Sequence, residues 1–244
     1  MQISAVILTK NEEKNIKRCI ESLLWCNEII IIDDYSEDKT LREIKNFKAR
    51  VYRRHLNSNF AQQRNFGLSK ANSDWVLFLD ADEIITLELK REILDVNFQT
   101  DDYNGFYIKR RDYFMGRQLK YGETGNIKLL RLGKKNAGKW KRSVHETWEI
   151  KERVGELKNP IHHYPHQTIR EFIDDINFYS TIHAQENKKT KSANIFYIIT
   201  YPLGKFFVNY FLKLGFLDGV EGFVMAIFMS LHSFLAWGKL WLTS

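Results

Sequence analysis

The composition describes a folded protein with an excess of basic residues. The chain has 244 residues, 44% of them hydrophobic and 27% charged, which excludes global disorder and suffices for one large domain or a domain with an appendage. The formal net charge of +7 permits nucleic acid, an anionic membrane face or a phosphorylated substrate as a partner. Residues 1–13, MQISAVILTKNEE, have no basic stretch before their short apolar run, so we expect no signal peptide there.

The first hundred residues alternate between strand and helix patterns. Apolar runs at residues 2–8, 28–32, 49–53 and 75–79 predict strands, and the segments between them predict helices at residues 12–25, 41–47 and 61–71. This alternation is typical of βαβ units that build a parallel sheet covered on both faces. In such sheets, ligands bind at the carboxyl ends of the strands.

The first predicted helix turns an apolar face toward the core and carries a cysteine on it. The residues of this face are Ile16, Cys19, Ile20, Leu23 and Leu24. Cys26 follows Cys19 by seven residues and is predicted to lie on the same helical face. Side chains two turns apart are too distant for a disulfide, so we expect two reduced core thiols and a cytosolic fold.

Polar residues follow three of the predicted strands. They are Thr9, Asn11 and Glu12 after the first strand, Asp33 and Asp34 after the second, and Asp80, Asp82 and Glu83 after the fourth. Carboxylates this close repel one another, so a positive partner is expected: a lysine, a helix end or a metal ion. Asp80-Ala81-Asp82 suits Mg²⁺ or Mn²⁺ bridging to a diphosphate, although acid pairs at strand ends also occur as solvated turns. Arg64 would bind phosphate or hold an acid in place.

The second half of the chain has a different texture. Residues 105–119 and 126–132 predict antiparallel strands with turns at 115–116 and 122–125, and residues 168–187 predict a helix. Residues 195–216 and 223–242 are apolar and aromatic, but lysines and a histidine interrupt them. This pattern favours amphipathic helices lying in a membrane interface. A spanning hairpin and a plain core or oligomer contact are the alternatives.

Four segments of the first hundred residues together resemble a known enzyme family. TKNEE (9–13), IIDDYSEDKT (31–40), QQRNFGLSKA (62–71) and FLDADE (78–83) are similar to the nucleotide-sugar half of family 2 glycosyltransferases with the GT-A fold. DYFMGR (112–117), VHE (144–146), HHY (162–164) and FLDGVEGF (216–223) resemble the bacterial subgroup that includes lipopolysaccharide inner-core glucosyltransferases. The chain departs from that subgroup at Asn126, where an aspartate is usual before the Arg-Leu pair.

The resemblance implies a fold, a domain division and a nucleotide site. The fold would be α/β, with a Rossmann-like, mostly parallel sheet flanked by helices and a C-terminal helical extension that associates with membrane. Residues 1–190 would form the catalytic domain, with a nucleotide-sugar half at 1–100 and an acceptor half at 101–190, and residues 191–244 the apolar tail. The residues implied to hold the nucleotide are Thr9, Asn11, Glu12, Asp33 and Arg64, with Asp33 at the base.

The resemblance also implies a metal and a base. Asp80 would meet the ribose and the metal ion, Asp82 would be the direct ligand of Mg²⁺ or Mn²⁺, and His163 would complete the metal shell. In an inverting transfer the acceptor hydroxyl attacks the anomeric carbon from the face opposite the leaving group, so a general base is needed. Glu146 stands where the acceptor-side acid of the family is expected. A salt-bridge role for Glu146 and a structural role for His163 remain open.

The function implied is metal-dependent, inverting sugar transfer from a nucleotide sugar, with UDP as the expected nucleotide, to a cell-envelope acceptor such as lipopolysaccharide core. Such an enzyme would lie in the cytoplasm against the inner face of the membrane, where a basic protein meets an anionic lipid-linked substrate, and it could form a homo-oligomer. Transfer to a polyprenyl phosphate is an alternative. A non-catalytic module that binds nucleotide or nucleic acid is disfavoured because the aromatic residues are not interleaved with Arg and Lys. A nucleotidyltransferase is disfavoured because TKNEEKN contains no glycine.

Overall fold

The structure is a computed structural model that describes residues 2–96, 102–125, 127–143, 146–151, 153–165, 168–188 and 190–243. It divides into two compact units. The first unit comprises Met1–Arg110 and Lys128–His163, and the second comprises Arg111–Ile127 and Tyr164–Ser244. The division expected at residue 190 lies within the second unit and stays a prediction.

The first unit opens with the alternation of strands and helices that the sequence predicts. The elements are β1 (Ile3–Thr9), α1 (Ile16–Glu21), β2 (Glu28–Asp33), α2 (Thr40–Ile44), β3 (Arg50–Arg53), α3 (Phe60–Lys70) and β4 (Trp75–Asp80). Strand β1 lies between β2 and β4 and is parallel to both, and β3 is parallel to β2. The predicted parallel sheet is therefore confirmed.

Later strands extend this sheet in mixed directions. The remaining elements are β5 (Glu83–Ile85), α4 (Leu87–Asp95), β6 (Gly105–Phe114), β7 (Arg117–Gln118), β8 (Ile127–Lys134), β9 (Gly138–Lys141), β10 (Thr147–Ile150) and β11 (Val154–His163). Of these, β9 and β10 do not join the sheet but pair with each other as an antiparallel hairpin. The order is β3-β2-β1-β4-β8-β6-β11-β5, with β8 antiparallel to β4 and β5 antiparallel to β11. Only two residues join β4 to β5, although three strands separate them in the sheet, so the sheet must curl to bring its far edge back beside β4.

Side-chain alternation along the strands divides the core into two layers. In β1, β2 and β4 the odd-numbered residues face one cluster with α1 and α4, as shown by Ile7, Ile31 and Leu79. The even-numbered residues face a second cluster with α3 and two tryptophans of the β9–β10 hairpin. A strand buried on both faces reads as a continuous apolar run, which is why these strands are so evident in the sequence.

Close packing of α3 on the sheet fixes where its polar residues lie. A β-carbon at Gly67 would approach Val6 Cγ1 to 2.5 Å, so only glycine permits this spacing. Asn59 begins the helix by accepting a hydrogen bond from the backbone N–H of Gln62 at 2.9 Å. Because Arg64 lies three residues before Gly67, it shares the sheet-facing side of the helix and is 2% exposed.

The predicted first helix, at residues 12–25, is too long at both ends, since α1 begins only at Ile16, after a turn at residues 13–15. Helix α1 ends at Glu21, and turns continue the chain to the start of β2. Leu24 is consequently 60% exposed instead of facing the core, and Cys26 does not share a helical face with Cys19. Both cysteines are free, with Cys19 buried and Cys26 half-buried. The apolar spacing was correct through Leu23 because irregular turns can keep residues on the core side without a helix.

The second unit is mainly helical. It contains α5 (Ile169–Asn187), α6 (Ile195–Phe207) and α7 (Gly219–Leu242), with a π-helical turn at Val208–Leu212 and a 3₁₀ turn at Gly215–Asp218 between the last two helices. The helix predicted at 168–187 is confirmed, and Thr168 caps it through the N–H of Glu171. Phe172 and Ile176 of α5 pack with Met225 and Phe228 of α7 in a small apolar cluster.

Two stretches of the second unit have the length and composition of membrane spans. Ile195–Leu212 and Gly215–Leu242 have mean hydropathies of 1.2 and 1.5, and only 6% and 28% of the most apolar 18 residues of each stretch are buried in the protein. Length and composition alone are weak grounds for a span, since core helices can have both. The low burial shows that most of this apolar surface is not used in the core of the unit.

The FLDGVEGF stretch has a structural role in the second unit. The carboxylate of Asp218 accepts hydrogen bonds from the backbone N–H groups of Lys120 and Tyr121, the latter at 2.8 Å. Gly219 has a φ of +69°, a conformation that favours glycine. A β-carbon at Gly222 would collide with the carbonyl oxygen of Gly215. The stretch thus holds the loop after β7 against the start of α7.

Candidate functional site

The predicted ligand-binding edge of the sheet forms where β1, β2 and β4 end. In the strand register, Thr9 pairs with Asp33 and Leu8 pairs with Asp80. Asp33 and Asp80, the last residues of β2 and β4, therefore lie on either side of the end of β1, as expected for parallel strands. The loops after these strands are where the remaining polar residues of the candidate site lie.

Asp80 lies between two arginines. Arg64 Nη2 donates to Asp80 Oδ1 at 2.8 Å, and Arg131 Nη2 donates to Asp80 Oδ2 at 2.6 Å. Burial raises the pKa of Asp80, but the positive charges of Arg131 and Arg64 outweigh it and hold that pKa well below its usual range. Arginines therefore supply the positive partner for this acid, a possibility that the sequence raised for Arg64 but not for Arg131.

Arg64 binds a second carboxylate at the same time. Its Nε donates to Glu146 Oε1 at 2.7 Å, and the Glu146 side chain is 16% exposed. Glu146 immediately precedes β10, and the β9–β10 hairpin is fixed to α3 by Asn65, whose side chain bonds to both the N–H and the carbonyl of Trp140. One guanidinium group thus joins the end of β4 to the start of β10.

Aromatic packing holds this hairpin over the sheet. The rings of Trp140 and Trp148 stack at 5.4 Å, and each meets Phe78 of β4 edge to face at 5.0 and 5.1 Å. The Arg64 guanidinium lies 4.9 Å from the Trp140 ring centre. The position of Glu146 therefore depends on a hairpin anchored by both polar and aromatic contacts.

Glu83 is a fully buried acid that contacts both Asp80 and Arg131. Its Oε1 accepts from Arg131 Nη2 at 3.1 Å, and its Oε2 accepts from the backbone N–H of Asp80 at 3.0 Å. Arg110 Nη1 lies 4.0 Å away. Burial raises the pKa of Glu83, the charge of Asp80 raises it further, and the Arg131 charge opposes both. Glu83 and Arg131 together support Asp80 from inside the protein.

Asp82 and His163 form a separate polar pair. His163 Nε2 lies 3.1 Å from Asp82 Oδ2, and both side chains are largely buried. The pair exists because β5 and β11 are antiparallel with His163 opposite Glu83, one residue after Asp82. Within the described ranges, no group of three or more His, Cys, Asp or Glu side chains is arranged to hold a metal ion.

The residues after β1 and β2 form a network of their own. The backbone N–H of Asn11 donates to Ser36 Oγ at 2.9 Å and the Asn11 side chain accepts from the N–H of Glu37. The Glu12 carboxylate accepts from Asn15 Nδ2 at 2.8 Å. Asp33 is fully buried and accepts from Arg53 Nε at 3.2 Å. The structure thus joins the two loops to each other.

Several buried polar groups at this edge have no hydrogen-bond partner among the described residues. They are Thr9 Oγ1, Arg64 Nη1 and Arg131 Nε. A buried donor without a partner costs free energy, so such groups often mark a ligand or water site. All three groups can donate a hydrogen bond, which suits a ligand rich in acceptor oxygens.

Sequence reasoning missed Arg131 and gave Glu83 no role. Arg131 is the single charged residue inside LLRLG (129–133), and a lone arginine in an apolar strand indicates a buried ion pair. That signal was available, but its partners are 48 and 51 residues away in sequence, and the β4–β8 pairing that unites them is not local. Two other segments noted in the sequence, Asn126 and residues 144–145 of VHE, lie outside the described residues.

We expect Arg131→Met to destabilise the fold strongly. The change leaves the buried Glu83 carboxylate without its closest cation, and breaking a buried pair in this way costs about 3–5 kcal/mol. Urea unfolding measures the loss. The partner variant Glu83→Gln and the double variant complete a cycle, in which the double variant should lose less than the sum of the singles. An unchanged urea midpoint for Arg131→Met would show that the pair does not stabilise the fold.

Comparison with known proteins decides the family. The profile described as Glycosyl transferase family 2 matches residues 4–149, more than half of the chain. The chain belongs to glycosyltransferase family 2. The matched range contains every predicted site residue except His163. The protein is therefore a glycosyltransferase, as the sequence resemblance implied.

This family 2 glycosyltransferase has relatives along its whole length. It is 29% identical to the lipopolysaccharide core biosynthesis glycosyltransferase LpsC of Rhizobium meliloti, over 99% of this chain and 92% of LpsC. It is 28% identical to an uncharacterised glycosyltransferase of Rickettsia typhi, over 98% of this chain and 86% of that protein. Similarity to the lipopolysaccharide subgroup, inferred from the motifs, is confirmed by the first of these.

A solved structure supports the fold of this family 2 glycosyltransferase. The S. aureus TarS fragment 1–349, solved in complex with UDP-GlcNAc, superposes with a TM-score of 0.51 at 16% identity, covering 96% of this chain and 81% of that one. At this identity the likeness concerns the fold alone. The predicted GT-A architecture, with apolar helices at the C-terminal end, is confirmed.

Proposed function

We propose that the protein is an inverting glycosyltransferase that moves a sugar from UDP to a hydroxyl group of a cell-envelope glycan or lipid-linked acceptor, such as lipopolysaccharide core. The observation that carries the proposal is the double engagement of Arg64, which links Asp80 at the end of β4 to Glu146 before β10. The relative LpsC is named for lipopolysaccharide core biosynthesis, and TarS was solved with UDP-GlcNAc. These names support the choice of acceptor class and nucleotide.

The unpartnered donors suit the nucleotide sugar. Arg64 Nη1, Arg131 Nε and Thr9 Oγ1 are buried without partners among the described residues. A nucleoside diphosphate sugar presents ribose, phosphate and sugar oxygens that can accept these bonds. Asn11, Glu12 and Asp33 would complete the nucleotide site from the loops after β1 and β2, with Asp33 at the base.

The pair Asp82 and His163 fits a divalent cation. Bonds of 2.0–2.1 Å in an octahedral shell put adjacent ligand atoms about 3 Å apart, and Asp82 Oδ2 and His163 Nε2 are 3.1 Å apart. Mg²⁺ and Mn²⁺ commonly take few protein ligands and complete the shell with water and substrate phosphates. Asp82 and His163 would therefore hold the ion. Asp80, whose two oxygens are bound by arginines, would meet the ribose and stand next to the ion.

Each of these groups would have its own part in the transfer. Glu146 would receive the proton of the attacking acceptor hydroxyl on Oε2, because Arg64 already binds Oε1. With the diphosphate bound on the face opposite to Glu146, this attack would invert the anomeric centre. When bound, the cation supplies Lewis-acid stabilisation of the charge on the departing nucleoside diphosphate. Arg64 fixes the base relative to Asp80, so the acceptor and donor groups meet in one geometry.

Thermal unfolding with nucleotides tests the donor assignment. We expect UDP with Mn²⁺ to raise the melting temperature by about 5–10 °C at a ligand concentration near 100 times Kd, since this adds about 2.7 kcal/mol of stability. UDP alone should give a smaller shift, and AMP with Mn²⁺ serves as the comparison. No shift with UDP or any nucleotide sugar, with or without manganese, would contradict the proposed function.

We propose further that α6 and α7 place the enzyme on the cytoplasmic face of an anionic membrane. Large apolar side chains of these helices are exposed, as shown by Phe196 at 64%, Leu203 at 65% and Val220 at 74%. The net charge of +7 favours an anionic surface. Amphipathic helices in the interface bury such side chains while their lysines remain in the headgroup region.

Vesicle sedimentation tests this location. We expect binding to vesicles that contain phosphatidylglycerol, and weaker binding both to neutral phosphatidylcholine vesicles and in 0.5 M salt. The double variant Phe196→Ser/Leu203→Ser should reduce binding at least tenfold because it removes two exposed apolar side chains. Equal sedimentation of the double variant would exclude the proposed contact. Protein that stays in the membrane at pH 11 would indicate spanning helices instead.

A further inference from the structure

Tyr35 adopts a backbone conformation that is unusual for its size. It follows β2 directly after Asp33 and Asp34, and its φ is +52°. A bulky residue in the left-handed region is strained, and such strain persists where the surrounding structure or a function requires it. The ring is not hidden in the core, since Tyr35 is 39% exposed. The strained backbone at Tyr35 therefore carries a partly exposed aromatic ring at the edge of the sheet where β1, β2 and β4 end.

Planar groups cover both faces of this ring. The His55 ring stacks on Tyr35 with centroids 3.9 Å apart and an interplanar angle of 18°, and the Arg53 guanidinium carbon lies 4.5 Å from the Tyr35 centroid. Two planar groups this close to one ring centre would overlap on a single face, so they occupy opposite faces. His55 Nδ1 also lies 3.7 Å from Asp34 Oδ1.

Arg53 makes two contacts that a nucleobase could also make. Its flat guanidinium lies on the Tyr35 ring, and its Nε–H donates to Asp33 Oδ2 at 3.2 Å. Asp33 is fully buried and accepts a further bond from the N–H of Ser36. A keto base such as uracil is also flat and carries a ring N–H that can donate to a carboxylate. The Arg53 side chain is 47% exposed, so it can leave this position into solvent.

We infer that the face of Tyr35 covered by Arg53 is the stacking surface for a keto nucleobase, and that the base displaces the guanidinium when the donor binds. This inference rests on the proposed function and adds to it a residue that selects the base. Arg53 keeps the surface covered and the Asp33 charge paired in the free enzyme. Tyr35 supplies the stacking, and Asp33 reads the N–H edge of the base.

Replacing Tyr35 with glycine separates this role from a structural one. Glycine adopts a φ of +52° without strain, so relief of that strain should offset most of the stability lost with the Tyr35 contacts and through the freer unfolded chain. The same change removes the stacking surface, and loss of one aromatic–base stack weakens binding roughly 10-fold to 100-fold. If Tyr35 had only a structural role, its replacement would lower UDP affinity only to the extent that it lowered the stability of the fold.

Calorimetric titration with UDP, CDP and inorganic pyrophosphate, each with Mn²⁺, tests the inference. We expect Tyr35→Gly to lose UDP affinity by the factor above, to keep pyrophosphate affinity within about twofold, and to melt within a few degrees of the parent. Tyr35→Phe should bind UDP as tightly as the parent, because it keeps an aromatic ring. Arg53→Ala should bind UDP about threefold more tightly, because the competing guanidinium is gone, and CDP should bind the parent more weakly than UDP because cytosine lacks the ring N–H. Tyr107→Ala, which changes a tyrosine of similar exposure in β6, is the control.

Three results would overturn the inference while parent binding of UDP still supported the proposed function. They are unchanged UDP affinity in Tyr35→Gly, equal losses of UDP and pyrophosphate affinity in that variant, and weaker UDP binding in Arg53→Ala. The last would show that Arg53 contacts the nucleotide directly. Absence of UDP binding by the parent protein would overturn the proposed function and the inference together.

Discussion

Glu146→Gln is expected to lower kcat for transfer to a hydroxyl acceptor about 1,000-fold. The amide keeps an oxygen that can accept from Arg64 Nε, so the hairpin and the arginine should stay in place. What the amide cannot do is take the proton of the acceptor, and general bases contribute about 100-fold to 10,000-fold. The measurement is steady-state sugar transfer, together with UDP affinity, which should change by less than threefold.

Glu149→Gln is the matched control for this prediction. Glu149 lies three residues later on the same hairpin, pairs with Lys141 at 2.6 Å and is 53% exposed, so its loss should leave transfer within about twofold of the parent. Full turnover by Glu146→Gln would remove Glu146 as the base. Activity retained only toward a polyprenyl phosphate would instead support the alternative acceptor, whose oxygen is already ionised and needs no base.

Asp82→Ala is expected to reduce transfer about 1,000-fold by a different route. If Asp82 is the direct ligand of the cation, its loss removes the ion that stabilises the leaving diphosphate, an effect worth about 4 kcal/mol in the barrier. The sharper readout is calorimetry. The parent should bind UDP more tightly when Mn²⁺ is present, and Asp82→Ala should bind UDP equally with and without the ion.

Two further variants serve as the control and the intermediate case for Asp82→Ala. Asp74→Ala removes an exposed aspartate just before β4 and should keep both turnover and the manganese effect. His163→Ala should weaken the manganese effect without abolishing it, because one carboxylate ligand and the donor phosphates remain. A manganese-dependent UDP affinity in Asp82→Ala equal to that of the parent would refute the assignment of Asp82 to the metal.

The parallel half of the sheet was predictable because its signals are local. Strands β1, β2 and β4 are buried on both faces and read as unbroken apolar runs, and the helices between them show their own period. Parallel strands end at one edge, so the meeting of Thr9, Asp33 and Asp80 at neighbouring strand ends followed from the pattern alone. The end of α1 did not follow, because a core-facing turn and a helix keep the same apolar spacing through Leu23.

The charges around Asp80 were decided by contacts distant in sequence. Arg131 reaches Asp80 and Glu83 only because β8 pairs with β4 in the antiparallel sense. Glu146 reaches Arg64 only because Asn65 and two tryptophans hold the β9–β10 hairpin against α3 and the sheet. Neither pairing leaves a periodic signal in the sequence.

The fold class, the family and the edge of the sheet at which the polar residues gather could thus be predicted from local patterns in the sequence. Which side chain pairs with which carboxylate became evident only from the folded chain, where Asp80 binds two arginines and Asp82 lies beside His163. Burial produces periodic patterns among residues that are close in sequence. The pairing of buried charges instead depends on which strands and hairpins come together after the chain has folded.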